Sequence, residues 1–256
     1  SIVFYSESSV ILYPYVEEVI NELKKRDQKI CYVTSSRNDP ILKNKGIKTF
    51  YIGDGSARTK FFLELKARVL IMTMPDLGTY YIKRSKTFPV NYIYLFHSMN
   101  STHMEFQKGA FDRFDTIFCV GPYQIQEIRA TEQLYNLKQK KLVECGYALL
   151  DKLLKSRPLH SQENFLSQNN KKKILIAPSW GKQNLLEIVG VDLVKTLLDS
   201  GYHVTVRPHP MVIKKSSKII KKIREKFEEN PDFILDANTS SFEQLFSSYA
   251  LITDWS

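Results

Sequence analysis

The sequence predicts an α/β protein built as two parallel-sheet domains that face a cleft. Three observations carry this. Short β-rich runs alternate with amphipathic helical stretches, the pattern of parallel strands joined by crossover helices. A polar stretch at residues 158–172 interrupts the alternation, which then begins again. The 256 residues suffice for two domains of roughly 100–150 residues each.

The first series opens with IVFY (2–5) as a strand. Pro14 then starts a helix whose Val16, Val19, Ile20 and Leu23 share one face. KICYVT (29–34) returns as strand, and KTFYI (48–52) follows the turn at Gly46. VLIMT (69–73), YIYLF (92–96), TIFCV (116–120) and KLVEC (141–145) continue the series, with a helix at 123–136 between the last two. These elements define a Rossmann-like first domain over residues 1–157.

The connection at 158–172 carries Pro158 and an Asn-Asn-Lys-Lys-Lys run, as a surface linker would. The second domain, residues 173–256, repeats the pattern. KILIAP (173–178) is followed by a helix near 185–199 that closes at Gly201. HVTVR (203–207), a helix near 214–228, FILDA (233–237), a helix near 241–249 and LITD (251–254) complete it. Ser240 or Ser241 before Glu243 or Gln244 is a capping signature for the last helix. With few strands and no helix after the last, this Rossmann-like domain reads as incomplete.

Lysine and arginine outnumber aspartate and glutamate 37 to 27, a net charge of +10. That favours a polyanion or an anionic membrane face. Zinc-finger spacing, ribonucleoprotein motifs and basic–aromatic stripes are absent from the sequence, so nucleic acid is not the expected partner. No apolar run approaches the roughly 20 residues that span a bilayer. The opening IVFY lacks the basic region and cleavage site of a signal peptide, and the lack of an initial methionine suggests an excised segment. Cys31, Cys119 and Cys145 are an odd set in strand-like runs, and they read as buried reduced thiols of a cytosolic protein.

Absent motifs narrow the chemistry. There is no GxxxxGK[ST] phosphate loop, and IGDGSAR (52–58) has Arg58 where a dinucleotide fingerprint would have its third glycine, so it reads as a turn. His97, His103, His160, His203 and His209 show neither HExxH nor zinc spacing with cysteine, and no metal site is expected. GxSxG is missing as well.

Ligands of such sheets bind beyond the carboxyl ends of strands, beside helix N-termini, so residues directly after strands are the candidates. His97 leaves YIYLF into a Ser/Asn/Thr-rich loop, a place suited to proton transfer, although a helix-capping histidine would sit there equally well. His103 reads as structural. In RPHP, Pro208 and Pro210 favour extended backbone at Arg207 and His209. Both side chains then project to one side. Two potentially cationic donors there make an anion site, with phosphate the natural ligand, and a rigid turn with a surface histidine is the competing reading. APSWGKQ (177–183) contributes Ser179 and Lys182 before a helix, and TDWS (253–256) contributes Asp254 and Ser256.

Taken in order, FHS (96–98), GYALLDKL (146–153), ILIAPSW (174–180), RPHP (207–210) and ITDWS (252–256) resemble the CDP-glycerol glycerophosphotransferase family of teichoic-acid and capsule polymerases. The resemblance covers residues 92–256. It departs from the usual pattern in having Ser98 where glycine is common, and Gly181-Lys182 where arginine is common. It implies a glycosyltransferase-B type fold and transfer of glycerol phosphate from CDP-glycerol to a polymer hydroxyl, with release of CMP. The first domain would then serve the acceptor and the second the nucleotide donor, without a metal or further cofactor. On that resemblance His97 is the candidate base, His209 and Arg207 stabilise charge on the transferred phosphate, and Ser179, Lys182, Asp254 and Ser256 lie by the donor phosphates.

The resemblance also implies a membrane-linked polymer or glycan acceptor and a peripheral position on the cytoplasmic face of the cell membrane. KKSSKIIKKIREKF (214–227) fits, with Ile219, Ile220, Ile223 and Phe227 on one face and basic residues elsewhere, although a soluble helix with a solvated charged face has the same pattern. Two alternatives stay open: a glycosyltransferase using a nucleotide sugar, and a non-catalytic module that binds polyanions.

Overall fold

A computed structural model describes residues 1–7, 12–79, 81–155, 165–181, 183–215, 217–236 and 243–254. The chain divides into two compact units, Ser1–Lys152 and Leu153–Ser256.

The first unit runs β1 (Ile2–Ser6), α1 (Tyr13–Lys25), β2 (Ile30–Thr34), a 3-10 turn (Pro40–Lys43), β3 (Lys48–Tyr51), α2 (Ser56–Glu64) and β4 (Val69–Met72). It continues with β5 (Asn91–Leu95), α3 (Thr102–Glu105), β6 (Thr116–Cys119), α4 (Pro122–Leu134) and β7 (Lys141–Glu144), and α5 (Ala148–Lys155) runs across the boundary between the units. Seven strands form one parallel sheet in the order β3-β2-β1-β4-β5-β6-β7.

Side chains alternate across the sheet because a strand repeats every two residues. In β1, Val3 and Tyr5 join one core with Leu70, Tyr92, Tyr94 and Phe62. Phe4, between them, joins the opposite core with Tyr32, Ile71, Val16 and Ile20. Burial on both faces is what a parallel sheet with helices on each side requires. The face expected for α1 is therefore the one that packs, with Val16 and Ile20 buried and Val19 and Leu23 against the same cluster.

The second unit contains β8 (Lys173–Ile176), α6 (Leu185–Asp199), β9 (His203–Val206), α7 (Pro210–Lys215), α8 (Ser217–Phe227), β10 (Phe233–Leu235), α9 (Glu243–Ser247) and β11 (Ala250–Ile252). Its four strands are parallel, in the order β10-β9-β8-β11. Both sheets thus wind outward one way and then return past their first strand. The strand order reverses between β1 and β4 in one and between β8 and β11 in the other. Gly190 lets α6 and α8 pack closely, since a Cβ there would lie 3.3 Å from Ile223 Cδ1.

Several expectations change. Part of the expected linker is ordered, with an antiparallel bridge between Leu166 and Lys172. Residues 156–164, including Pro158 and His160, lie outside the described residues. The helical stretch expected near 214–228 begins earlier, at Pro210, whose fixed φ suits a first helical turn, and it is described as α7 and α8 on either side of residue 216, which lies outside the described residues. Cys119 is buried and its thiol is pushed up to about 12 by burial, but Cys145, beyond the edge strand β7, is exposed rather than buried. All three cysteines are free thiols.

Candidate active site

In the first unit His97 follows β5, half-buried. Its carbonyl accepts a hydrogen bond from Tyr147 Oη at 2.7 Å. Tyr15 of α1 meets the imidazole edge-on, with ring centres 6.1 Å apart. Burial raises the Tyr147 hydroxyl's pKa, which keeps its donor proton in place. Nδ1 of His97 is buried and makes no hydrogen bond among the described residues. Burial also lowers the imidazole's pKa below its ordinary 6.5, so the ring is neutral at pH 7 and able to take up a proton. A cavity of about 90 Å³ lies beside it, lined by Tyr15, Val19, Phe96, Phe118, Cys145 and Tyr147. His103 is exposed and bonds Ser101 within its own loop.

In the second unit the loop after β8 is tied across the point where strand order reverses. Asp254, beyond β11, accepts from the Ser179 amide at 2.7 Å through Oδ1 and from the Leu185 amide at 2.9 Å through Oδ2. Burial pushes this carboxyl upward, but those amides and the Ser179 hydroxyl outweigh it and hold the group below the usual carboxylate range. Asn184 caps α6, its Oδ1 accepting from Leu186 and Glu187, while its Nδ2 donates to the Gly181 carbonyl at 2.6 Å. Gly181 turns the loop at φ +134°, a conformation that side-chain-bearing residues rarely adopt.

RPHP differs from the expected pair of cationic donors. Arg207 directs Nε and Nη2 to Asp236 Oδ2, at 3.0 and 2.6 Å, so a carboxylate already balances its charge. His209 caps α7. Its carbonyl accepts from Val212 and Ile213, and its Nδ1 accepts from the Met211 amide at 3.1 Å. An accepting Nδ1 places the neutral ring's proton on Nε2. Burial lowers this imidazole's pKa too. Trp180 lies nearly parallel to the ring, 25° apart in plane with centres 6.3 Å apart. Of the two potentially cationic donors, Arg207 is paired with Asp236 and His209 offers a neutral Nε2–H donor.

The structure thus brings Ser179 and Asp254 together, and Arg207 and His209 follow the neighbouring strand. Lys182 and Ser256 lie outside the described residues. Sequence reasoning missed Asp236, although it follows β10 and the same strand-end rule would have selected it. Tyr147 stood in the GYALLDKL motif without a role. Tyr15 gave no signal, because its use depends on α1 passing beside the end of β5. Among the described residues no group of three or more His, Cys, Asp or Glu is placed to hold a metal ion.

A search of curated protein sequences returned no match. Among solved structures, the wall teichoic acid polymerase TagF, in crystals soaked with CDPG, superposes with a TM-score of 0.57 at 16% identity. That match covers 100% of this chain and 65% of the polymerase. UDP-GlcNAc 2-epimerase from Methanocaldococcus jannaschii, in complex with UDP-GlcNAc and UDP, gives 0.62 at 11% identity over 99% of this chain and 78% of its own. MnaA of S. aureus with UDP gives 0.61 at 11% identity, over 99% and 74%. These likenesses establish a glycosyltransferase-B type fold. The family model for CDP-glycerol:poly(glycerophosphate) glycerophosphotransferases matches residues 2–256, and the chain belongs to that family.

Proposed function

We propose that the protein transfers glycerol phosphate from CDP-glycerol to the terminal hydroxyl of a teichoic-acid-like or capsule polymer. The observation that carries this reading is the family match over residues 2–256. In the reaction the acceptor oxygen bonds to the glycerol-bearing phosphorus as the bond from that phosphorus to the CMP oxygen breaks. His97 takes the hydroxyl proton, and CMP leaves with the electron pair.

His209 supports the electrophilic half of this scheme. Its neutral Nε2–H would donate to a phosphate oxygen on which charge builds, fixed beforehand by the Met211 amide and by Trp180. Arg207, with Asp236, would hold that strand end in place, and Ser179, Lys182, Asp254 and Ser256 would shape the donor side. Catalysis by positioning and charge placement calls for no resident cofactor or metal. The acceptor is proposed to be membrane-linked, with the protein held on the inner membrane face by charge. Among the described residues, no helix is long and apolar enough to cross a membrane.

The test is incubation of the full-length protein with acceptor and either CDP-glycerol or UDP-sugars. Acceptor-dependent CMP release is the expected result, and UDP release alone would refute the assignment. His97→Ala is expected to lower turnover by about 100-fold or more, the scale of general acid–base groups.

A further inference from the structure

We infer that α4 fixes the loop that carries His97, with Tyr123, Gln124 and Glu127 as positioning residues for its imidazole. The inference rests on the reading of His97 as the acceptor base. The segment after His97, Ser98-Met99-Asn100-Ser101-Thr102, is short and polar and leads into a single helical turn. A surface loop of this composition would leave its backbone groups to water and move with little resistance.

Here every residue from Met99 to Thr102 is bonded to one helix. Tyr123 Oη donates to the Met99 carbonyl at 2.8 Å. Gln124 Nε2 donates to the Asn100 carbonyl at 3.0 Å, while its Oε1 accepts from the Val120 amide at 2.7 Å. One buried amide thus joins the loop to the end of β6. Glu127 accepts from the Ser101 hydroxyl at 2.9 Å, and from the Thr102 amide and hydroxyl at 2.5 and 2.7 Å. Burial pushes the Glu127 carboxyl up, but the Thr102 and Ser101 donors and His103 outweigh it and hold the group ionised.

The spacing makes this possible. Tyr123 and Gln124 lie in the first turn of α4 and Glu127 lies one turn further on, so residues 123 and 127 stack on one face. On the other side Tyr147 holds the His97 carbonyl. The imidazole is therefore anchored at its own backbone and along the segment that follows it. Proton transfer needs this precision, since a misplacement of about 1 Å can cost on the order of 100-fold in rate.

A double-mutant cycle on the full-length protein separates positioning from general stability. Glu127→Gln keeps the side chain's shape but turns one acceptor into a donor facing Thr102. Tyr123→Phe removes one hydroxyl from a partly exposed ring and leaves the fold intact. With CDP-glycerol and acceptor, each is expected to lower kcat, Glu127→Gln by about tenfold or more, with the KM for CDP-glycerol unchanged within about twofold. In a His97→Ala background neither should lower the residual rate further, because the group they position is gone. Equal losses in both backgrounds, or wild-type kcat in both single variants, would overturn the inference. Wild-type turnover in His97→Ala itself would instead refute the reading of His97, and with it this inference. The two failures are thus told apart by that single variant.

Discussion

On the proposed reading His209 has two roles, and they can be separated atom by atom. Nδ1 accepts the Met211 amide and so caps α7, which leaves Nε2–H for a phosphate. Asparagine is among the best capping residues, and its side-chain oxygen sits where Nδ1 does, but it has nothing at the Nε2 position. His209→Asn is therefore expected to keep thermal stability close to wild type while turnover falls by about 100-fold or more. A variant that melts early, or that turns over normally, would contradict this division. Protonating the ring would set Nδ1–H against the Met211 amide, which agrees in sign with the burial that lowers its pKa. The sign then follows for both His209 and His97. Each stays neutral down to a value below 6.5; as pH falls through that depressed value His97 loses its power to take up a proton, whereas His209 keeps Nε2–H and loses the Nδ1 acceptor that caps α7. The acid limb of kcat/KM should have its midpoint below 6.5, and a midpoint above it would count against the assignment of His97 as the base. Where the histidines sit was legible from strand ends alone. Their protonation was not, because it depends on a helix starting at Pro210 and on the depth of the surrounding packing.

At the scale of elements, the strands were legible because Val, Ile, Tyr and Phe runs recur between turns. The helices were legible only where apolar residues fall on a helical period. The periodic face of α1 was clear, with Val16 and Ile20 buried. In α2 the apolar residues Phe61, Phe62 and Leu63 are consecutive, so no face emerges, and the sequence reading passed over the element. The β8–α6 loop shows a further limit, since Asp254 and Ser179 stand 75 positions apart in sequence and only the sheet order brings them together. Asp254→Asn would place an amide donor against one of two backbone N–H groups. Unfolding in urea should show a loss of about 1.5–3 kcal/mol at neutral pH, the range for hydrogen bonds to a charged group. Because the folded carboxyl is held below its ordinary 3.8, its stabilisation is complete above that value and fades as pH falls through the lower folded one. Wild type and variant should therefore converge in acid. A gap that persists there would show that the loop does not depend on the ionised carboxylate.

For the whole molecule, the +10 charge bears on how the protein would be held at a membrane. The sequence left two readings open for residues 214–227, a solvated charged face or attraction to anionic lipid or a polyphosphate acceptor. In the structure Ile220, Ile223 and Phe227 of α8 are buried in the core of their own domain, with Ile219 packed against it. That face is already occupied and has nothing to give to lipid. Lys218, Lys221, Lys222, Arg224 and Lys226 remain exposed on the other side. Attraction through this helix is then electrostatic, and each lysine or arginine near an anionic surface contributes about 1 kcal/mol. Charges of this kind are screened, with a Debye length of about 10 Å at 0.1 M salt and about 3 Å at 1 M. Vesicles containing anionic lipid should bind the protein at low salt and release it as salt approaches 1 M, whereas neutral vesicles should not bind it. Replacing Lys218, Lys221 and Lys222 together by glutamine should weaken binding with little loss of thermal stability, since none of the three is buried and the Lys221–Glu225 pair is exposed. Binding that survives 1 M salt, or that neutral lipid supports equally well, would mean that an apolar surface elsewhere on the protein inserts, and the electrostatic reading of α8 would fail.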